Sequence, residues 1–178
     1  MYKHDILLDV IKKQKPHNIV EIGTQFYPYD SDQGKLWGSM TYHFAKWANG
    51  NGAKFYTIDI DPEHIYYAMQ NIHYPISGLV GDGAKILAEL KIWIDFLYLD
   101  SADEPEISLE QFKTAEPYLT DKAIVTMDDI FDWGPQYDKK LGKGTLVIPY
   151  AQEKGWKFER VPAFDDKDYL CDIAILTK

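Results

Sequence analysis

The chain has a single cysteine, Cys171, among 178 residues, so no internal disulfide can form and the fold must rest on packing. Long apolar runs are also missing. None approaches the roughly 18 residues that cross a bilayer, and the opening Met1-Tyr2-Lys3-His4-Asp5 is too polar for a secretory leader. A cytoplasmic protein with no membrane partner is expected. Positive charge is scarce: 19 Lys and Arg against 28 Asp and Glu leave a net charge of −9, which disfavours a phosphate backbone and argues against nucleic acid as a partner. Compact glycine motifs are absent too. There is no Gly-Lys-Ser or Gly-Lys-Thr phosphate loop, and Gly34 and Gly38 lie too far from Gly23 to complete a dinucleotide-binding glycine triplet. His4, His17, His43, His64 and His73 show no metal-ligand spacing, and no Gly-x-Ser-x-Gly elbow marks a hydrolase. Cys171, just ahead of a terminal strand, reads as a small buried thiol.

What is present is a regular alternation. Apolar residues make up 46% of the chain and run from Ile6 to Leu176 without a break in composition, which predicts one domain over residues 1–178. Ile6, Leu7, Val10 and Ile11 recur at helical spacing before Pro16. Asn18-Ile19-Val20-Glu21-Ile22 is a short buried strand running into Gly23. Residues 24–38 hold Pro28, Gly34, Gly38 and several aromatics and read as a long loop. Ser39 is placed to cap a helix carrying Met40, Phe44 and Trp47 that ends near Gly50 and Gly52. A strand at residues 55–60 leads to Asp61-Pro62-Glu63, a helix start. Residues 76–80, 94–99 and 123–127 are further strands, the second of them apolar enough to be central, with helices at residues 84–90 and 109–118 between them. This order predicts an α/β fold with a doubly wound, mostly parallel sheet. Trp156–Arg160 and Asp172–Leu176 alternate weakly and predict an antiparallel pair at its edge.

In open sheets of this kind ligands bind beyond the carboxyl ends of the strands. Those ends are Glu21-Ile22-Gly23, Asp59-Ile60-Asp61, Gly81-Asp82-Gly83, Asp100 and Asp128-Asp129. Any one aspartate there is as readily explained by turn and cap formation. Five acidic ends together suit a ligand rich in hydroxyl and amino donors, or a metal.

The same residues carry a resemblance. Val20-Glu21-Ile22-Gly23-Thr24, Thr57-Ile58-Asp59, Gly81-Asp82-Gly83, Phe96-Leu97-Tyr98-Leu99-Asp100 and Asp128-Asp129 resemble, in order and spacing, class I S-adenosylmethionine-dependent methyltransferases, and in their last two motifs the metal-dependent small-molecule O-methyltransferases. The resemblance implies a single Rossmann-like domain with a seven-stranded sheet and a C-terminal antiparallel strand pair. It implies methyl transfer from S-adenosylmethionine to an oxygen of a small-molecule acceptor, assisted by Mg²⁺ or another divalent cation. Glu21 and Gly23 would line the methionine end of the cofactor, Asp59 the ribose hydroxyls, and Asp82 the adenine. Asp100 and Asp128 would be catalytic, and Asp100, Asp128 and Asp129 would hold the metal. The stretch at residues 24–38 is an atypical insertion for that family. Its Tyr27, Tyr29, Asp30 and Trp37, with Trp133 and Tyr137, would form a lid over an apolar acceptor or else pack on the domain's own surface. An NAD-linked oxidoreductase and a non-catalytic nucleoside-binding protein are the competing functions, and a homo-oligomer is compatible with all three.

Overall fold

Hydrophobic periodicity builds seven strands and six helices among the residues described in the computed structural model, which are 1–24, 39–102, 104–130, 142–164 and 170–178. The order is α1 (Lys3–Gln14), β1 (Asn18–Ile22), α2 (Met40–Asn51), β2 (Lys54–Asp59), α3 (Pro62–Asn71), β3 (Ser77–Val80), α4 (Gly83–Leu90), β4 (Ile94–Leu99), α5 (Pro105–Ala115), β5 (Leu119–Met127), α6 (Gly144–Glu153), β6 (Lys157–Phe164) and β7 (Leu170–Thr177). The strands form one sheet in the order β3-β2-β1-β4-β5-β7-β6. The first five are parallel, while β7 runs antiparallel to both β5 and β6. The mostly parallel sheet and the closing antiparallel pair are as the sequence indicates. No helix among the described residues is long and apolar enough to cross a membrane.

Burial on both faces of the sheet explains why its strands read as near-continuous apolar runs. One face carries Val20, Ile22, Leu97, Leu99 and Val125 against Leu87 of α4, Phe112 of α5 and Val147 and Ala151 of α6. The other carries Ile19, Phe55, Phe96 and Tyr98 against Ile6, Leu7 and Ile11 of α1, Phe44 and Ala45 of α2, and Ala68 of α3. Helix ends follow their local chemistry. Ser39 accepts from Tyr42 N–H, Asp61 from Glu63 N–H and Asp82 from Lys85 N–H, while Gly52 closes α2 in a left-handed conformation.

Strands β5, β6 and β7 run longer than the sequence reading, from Leu119, to Phe164 and from Leu170, and two helices depart from it. Helix α5 starts at Pro105, four residues early, because proline at the first helical turn followed by Glu106 is itself a start signal; its far end tightens into a 3₁₀ turn at Glu116–Tyr118. Helix α6 was not anticipated at all. Pro149 lies in its interior and the preceding Thr145-Leu146-Val147-Ile148 is rich in β-branched residues, so local propensity hides a helix that burial of Val147, Ile148 and Ala151 stabilises. The Cys171 thiol is buried, as expected.

Phe44 is the packing centre beneath the strand ends, with its ring edge-on to Phe55, Phe96 and Tyr98 at centroid distances of 6.0, 5.6 and 5.5 Å. Phe44→Ala is expected to lower unfolding free energy by about 3–5 kcal/mol. Trp93→Ala, at a site 66% exposed, is expected to shift it by under about 0.5 kcal/mol. Urea denaturation of both variants checks the contrast.

Candidate active site

The strand order reverses between β1 and β4, since the chain winds from β1 outward through β2 and β3 and then returns to β4 on the other side. The ends of β1 and β4 are held flush there. Asp100 N–H donates to the Ile22 carbonyl and Gly23 N–H to the Ile58 carbonyl, both at 2.8 Å. Gly23 has φ +92°, and a Cβ on it would stand 2.0 Å from the Asp100 carbonyl oxygen. Only glycine fits this crossing.

On one side of the switch, backbone donors organise the carboxylates. Asp59 Oδ2 accepts from Thr24 N–H (2.9 Å), Asp59 Oδ1 from Asp61 N–H (2.8 Å), and His64 Nδ1 lies 3.1 Å from Oδ2. Asp59 is therefore not the cap of α3, a role Asp61 takes. Asp82 does cap its helix, α4, through Oδ1 at 3.0 Å from Lys85 N. Ile60, which the sequence reading passed over, is 74% exposed directly after Asp59. Its signal was an apolar residue standing between two acidic ones at a strand end.

Glu21 is fully buried at the end of β1. Its Oε2 accepts from Thr41 Oγ1 (2.8 Å) and Thr57 Oγ1 (2.7 Å), and Thr57 Oγ1 in turn lies 2.7 Å from Thr24 Oγ1. Oε1 has no hydrogen-bond partner among the described residues. Burial pushes the Glu21 carboxyl up to about 8, against the opposing effect of the two threonine hydrogen bonds. Glu21, Gly23 and Asp59 thus belong to one connected set, joined through Thr24 and Thr57. Asp82 stands at the next strand end and caps its own helix.

Across the switch the acidic residues are organised by side chains. Asp100, Asp128 and Asp129 offer oxygens within 4.8 Å of one another, so the structure brings the three together. Two lysines reach them from distant parts of the chain. Lys143 Nζ is 2.5 Å from Asp100 Oδ1, 3.0 Å from Asp128 Oδ1 and 3.8 Å from Asp129 Oδ2, and Lys3 Nζ is 2.6 Å from Asp128 Oδ2. The Tyr98 hydroxyl donates toward Asp128 Oδ2 (2.8 Å) and Asp100 Oδ2 (3.1 Å). Burial and the neighbouring Asp128 charge push the Asp100 carboxyl up to about 7. At Asp128 burial acts the same way, but the Lys143 and Lys3 ammonium groups outweigh it and hold the carboxyl well below the usual range. Lys3, Lys143 and Tyr98 were not identified from the sequence. Lys3 opens a helix and Lys143 sits in Gly142-Lys143-Gly144, and neither context signals a buried charge. Tyr27, Tyr29, Asp30, Trp37, Trp133 and Tyr137, read from the sequence as a lid or as packing on the domain's own surface, lie outside the described residues.

A family model described as a methyltransferase domain matches residues 34–130, just over half of the chain. No curated protein matches the sequence. Among solved structures the chain is similar to an O-methyltransferase from Bacillus cereus in complex with SAH, at 18% identity and a TM-score of 0.73 over 99% of this chain and 80% of that one. It is similar to a putative caffeoyl-CoA O-methyltransferase from Staphylococcus aureus, at 18% identity and 0.70 over 97% and 82%. It is also similar to the N-methyltransferase NodS from Bradyrhizobium japonicum in complex with S-adenosyl-L-homocysteine, at 16% identity and 0.69 over 99% and 85%. Likeness at such identities is likeness of fold.

The raised Glu21 carboxyl makes a pH prediction. Between an unfolded value near 4.5 and a folded value of about 8, the folded protein holds a proton that the unfolded chain has lost. Its contribution to stability is full below the first value and is lost as pH rises to the second, at up to about 1.4 kcal/mol per pH unit. Glu21→Gln keeps an acceptor for Thr41 and Thr57 and has no proton to lose. Urea midpoints at pH 5, 6.5 and 8 are expected to fall more steeply for the native protein than for the variant, and parallel curves would remove the buried-acid assignment.

Proposed function

We propose, because this chain belongs to the methyltransferase-domain family, that it transfers a methyl group from S-adenosylmethionine to an oxygen of a small-molecule acceptor. The observation that carries the reading is the edge of the sheet at the β1/β4 switch, where a connected acidic set meets an exposed apolar residue. Residues 1–178 are read as one methyltransferase-like unit with an atypical stretch at residues 24–38.

The residues present suit the cofactor. Glu21 keeps a buried oxygen, Oε1, that no described residue engages, and a carboxyl protonated near neutral pH offers a donor or an acceptor toward the methionine end. Gly23 keeps the β1 turn free of a side chain. Asp59 is fixed by two backbone donors, which leave lone pairs for ribose hydroxyls. Ile60 presents apolar surface for a base, and Asp82 lies beyond the neighbouring strand, whose Val80 pairs with Asp59. When bound, S-adenosylmethionine supplies a methyl group on a sulfonium that is already an activated leaving group.

On the acceptor side, Asp100 takes the proton of the acceptor hydroxyl. A carboxyl pushed up to about 7 is matched to that task near neutral pH. Asp128 is a positioning residue, holding Lys3, Lys143 and Tyr98 around Asp100. Fixed charges of this kind stabilise a developing oxyanion without reorganising. The divalent cation expected at Asp100, Asp128 and Asp129 does not fit beside the Lys143 ammonium, so no step of this reading passes through it.

Calorimetric titration with S-adenosylmethionine tests the cofactor assignment. Asp59→Ala is expected to weaken binding by about 1.5–3 kcal/mol, the worth of a hydrogen bond to a charged group. His64→Ala, which removes a half-exposed neighbour of Asp59, is expected to leave affinity within about 0.5 kcal/mol. Equal affinity in the intact protein and a folded Asp59→Ala variant would remove Asp59 from the role. No binding to the intact protein would remove the cofactor.

A further inference from the structure

We propose that the Lys143 ammonium, backed by that of Lys3, is the resident cation of the Asp100, Asp128 and Asp129 triad, so that the triad takes a divalent metal only when Lys143 is removed. The carboxylate spacing would suit an ion, with oxygens of all three within 4.8 Å of one another. The ammonium stands among them, at 2.5, 3.0 and 3.8 Å. An ion of Mg²⁺ or Mn²⁺ type needs oxygens at about 2.0–2.1 Å in a near-octahedral shell, and one bridging Asp100 Oδ1 and Asp128 Oδ1 would overlap Nζ.

Turning to the other oxygens gives no way in. Asp128 Oδ2 faces both Lys3 Nζ and the Tyr98 hydroxyl, and Asp100 Oδ2 faces the same hydroxyl. Every oxygen of Asp100 and Asp128 therefore already faces a donor from the chain. An incoming ion must break these charge-assisted contacts and shed its own water before it gains a ligand.

The chain also anchors Lys143. Its side chain is 3% exposed, and the next residue, Gly144, packs so tightly that a Cβ there would stand 2.7 Å from Ile148 Cδ1 and 2.9 Å from Ile130 Cβ. Ile130 directly follows Asp129, so the start of α6 is pressed against the segment that carries two of the three carboxylates. Formal charges agree. Three carboxylates and two ammonium groups leave minus one, whereas adding a divalent ion to all five would force two cations into contact at a net plus one.

The test uses Mn²⁺ alone, read from the electron paramagnetic resonance signal of the free ion, and needs neither cofactor nor acceptor. Its outcome is therefore separate from that of the methyl-transfer reading. The intact protein is expected to show no Mn²⁺ binding that Asp128→Asn abolishes. Lys143→Ala is expected to bind one Mn²⁺ per chain at least about tenfold more tightly than the intact protein, and Asp128→Asn in that background is expected to abolish the gain. Stoichiometric Mn²⁺ binding to the intact protein that Asp128→Asn removes would overturn the proposal, as would a folded Lys143→Ala variant that gains none. Should circular dichroism show Lys143→Ala unfolded, Lys143→Met, which keeps most of the buried stem, takes its place, and the intact-protein arm decides in any case.

Discussion

The site depends on there being no room for a side chain at residue 23. The Asp100 carbonyl oxygen lies 2.0 Å from where a Cβ would stand, so β1 and β4 run side by side to their last residues instead of splaying apart. Because they end flush, Glu21 of β1 sits opposite Tyr98 of β4 and Thr57 of β2 in the ladders. Those three residues begin the two polar networks. One runs from Glu21 through Thr57 and Thr24 toward Asp59, and the other from Tyr98 to Asp100, Asp128 and the two lysines. Beneath them Phe44 packs edge-on against Tyr98, so a dry aromatic layer supports a buried polar one. In such surroundings electrostatic contacts act over a lower dielectric than water and count for more.

Buried charge stabilises only where it is completed. Removing one partner of a buried ion pair typically costs about 3–5 kcal/mol, because the other is stranded without water. Here the acids follow two neighbouring strands, Asp100 after β4 and Asp128 after β5, while the lysines come from outside the sheet, Lys3 from the start of α1 and Lys143 ahead of α6. The cluster therefore ties the first helix and the last one to the middle of the sheet.

The parts of the fold legible in the sequence are those set by local signals. Burial periodicity located β1 and β4, turn chemistry located the cap at Ser39 and the helix start at Pro62, and the acidic strand ends pointed to the carboxyl edge of the sheet. Where two local signals conflict, reading fails, as in α6 with its internal Pro149. Ion pairs were illegible for a different reason. Lys3 is 125 residues from Asp128 in the chain, and a lysine at a helix start looks the same whether it faces solvent or a buried carboxylate. The acidic triad was recognised because its members stand in motifs that resemble the metal-dependent O-methyltransferases. Its counter-charges were missed because nothing periodic brings them there.

This division has a chemical consequence for the proposed reaction. The sulfonium of the methyl donor is positive, and that charge is lost as the methyl group leaves. A fully ionised carboxylate beside it would stabilise the bound donor more than the transition state, which lowers the rate of the chemical step. In the proposed arrangement Glu21 would avoid this, because burial pushes its carboxyl up to about 8 and favours the neutral form. The strongly ionised carboxylate of the region is Asp128, and its charge is already answered by two ammonium groups. An edge with five acidic strand ends, which in the sequence suggests a strongly negative cleft, is in the folded chain offset at Asp100, Asp128 and Asp129 by two ammonium groups. In the proposed reaction Asp59, fixed by backbone N–H groups on the far side of β1, would grip the ligand away from the reacting centre.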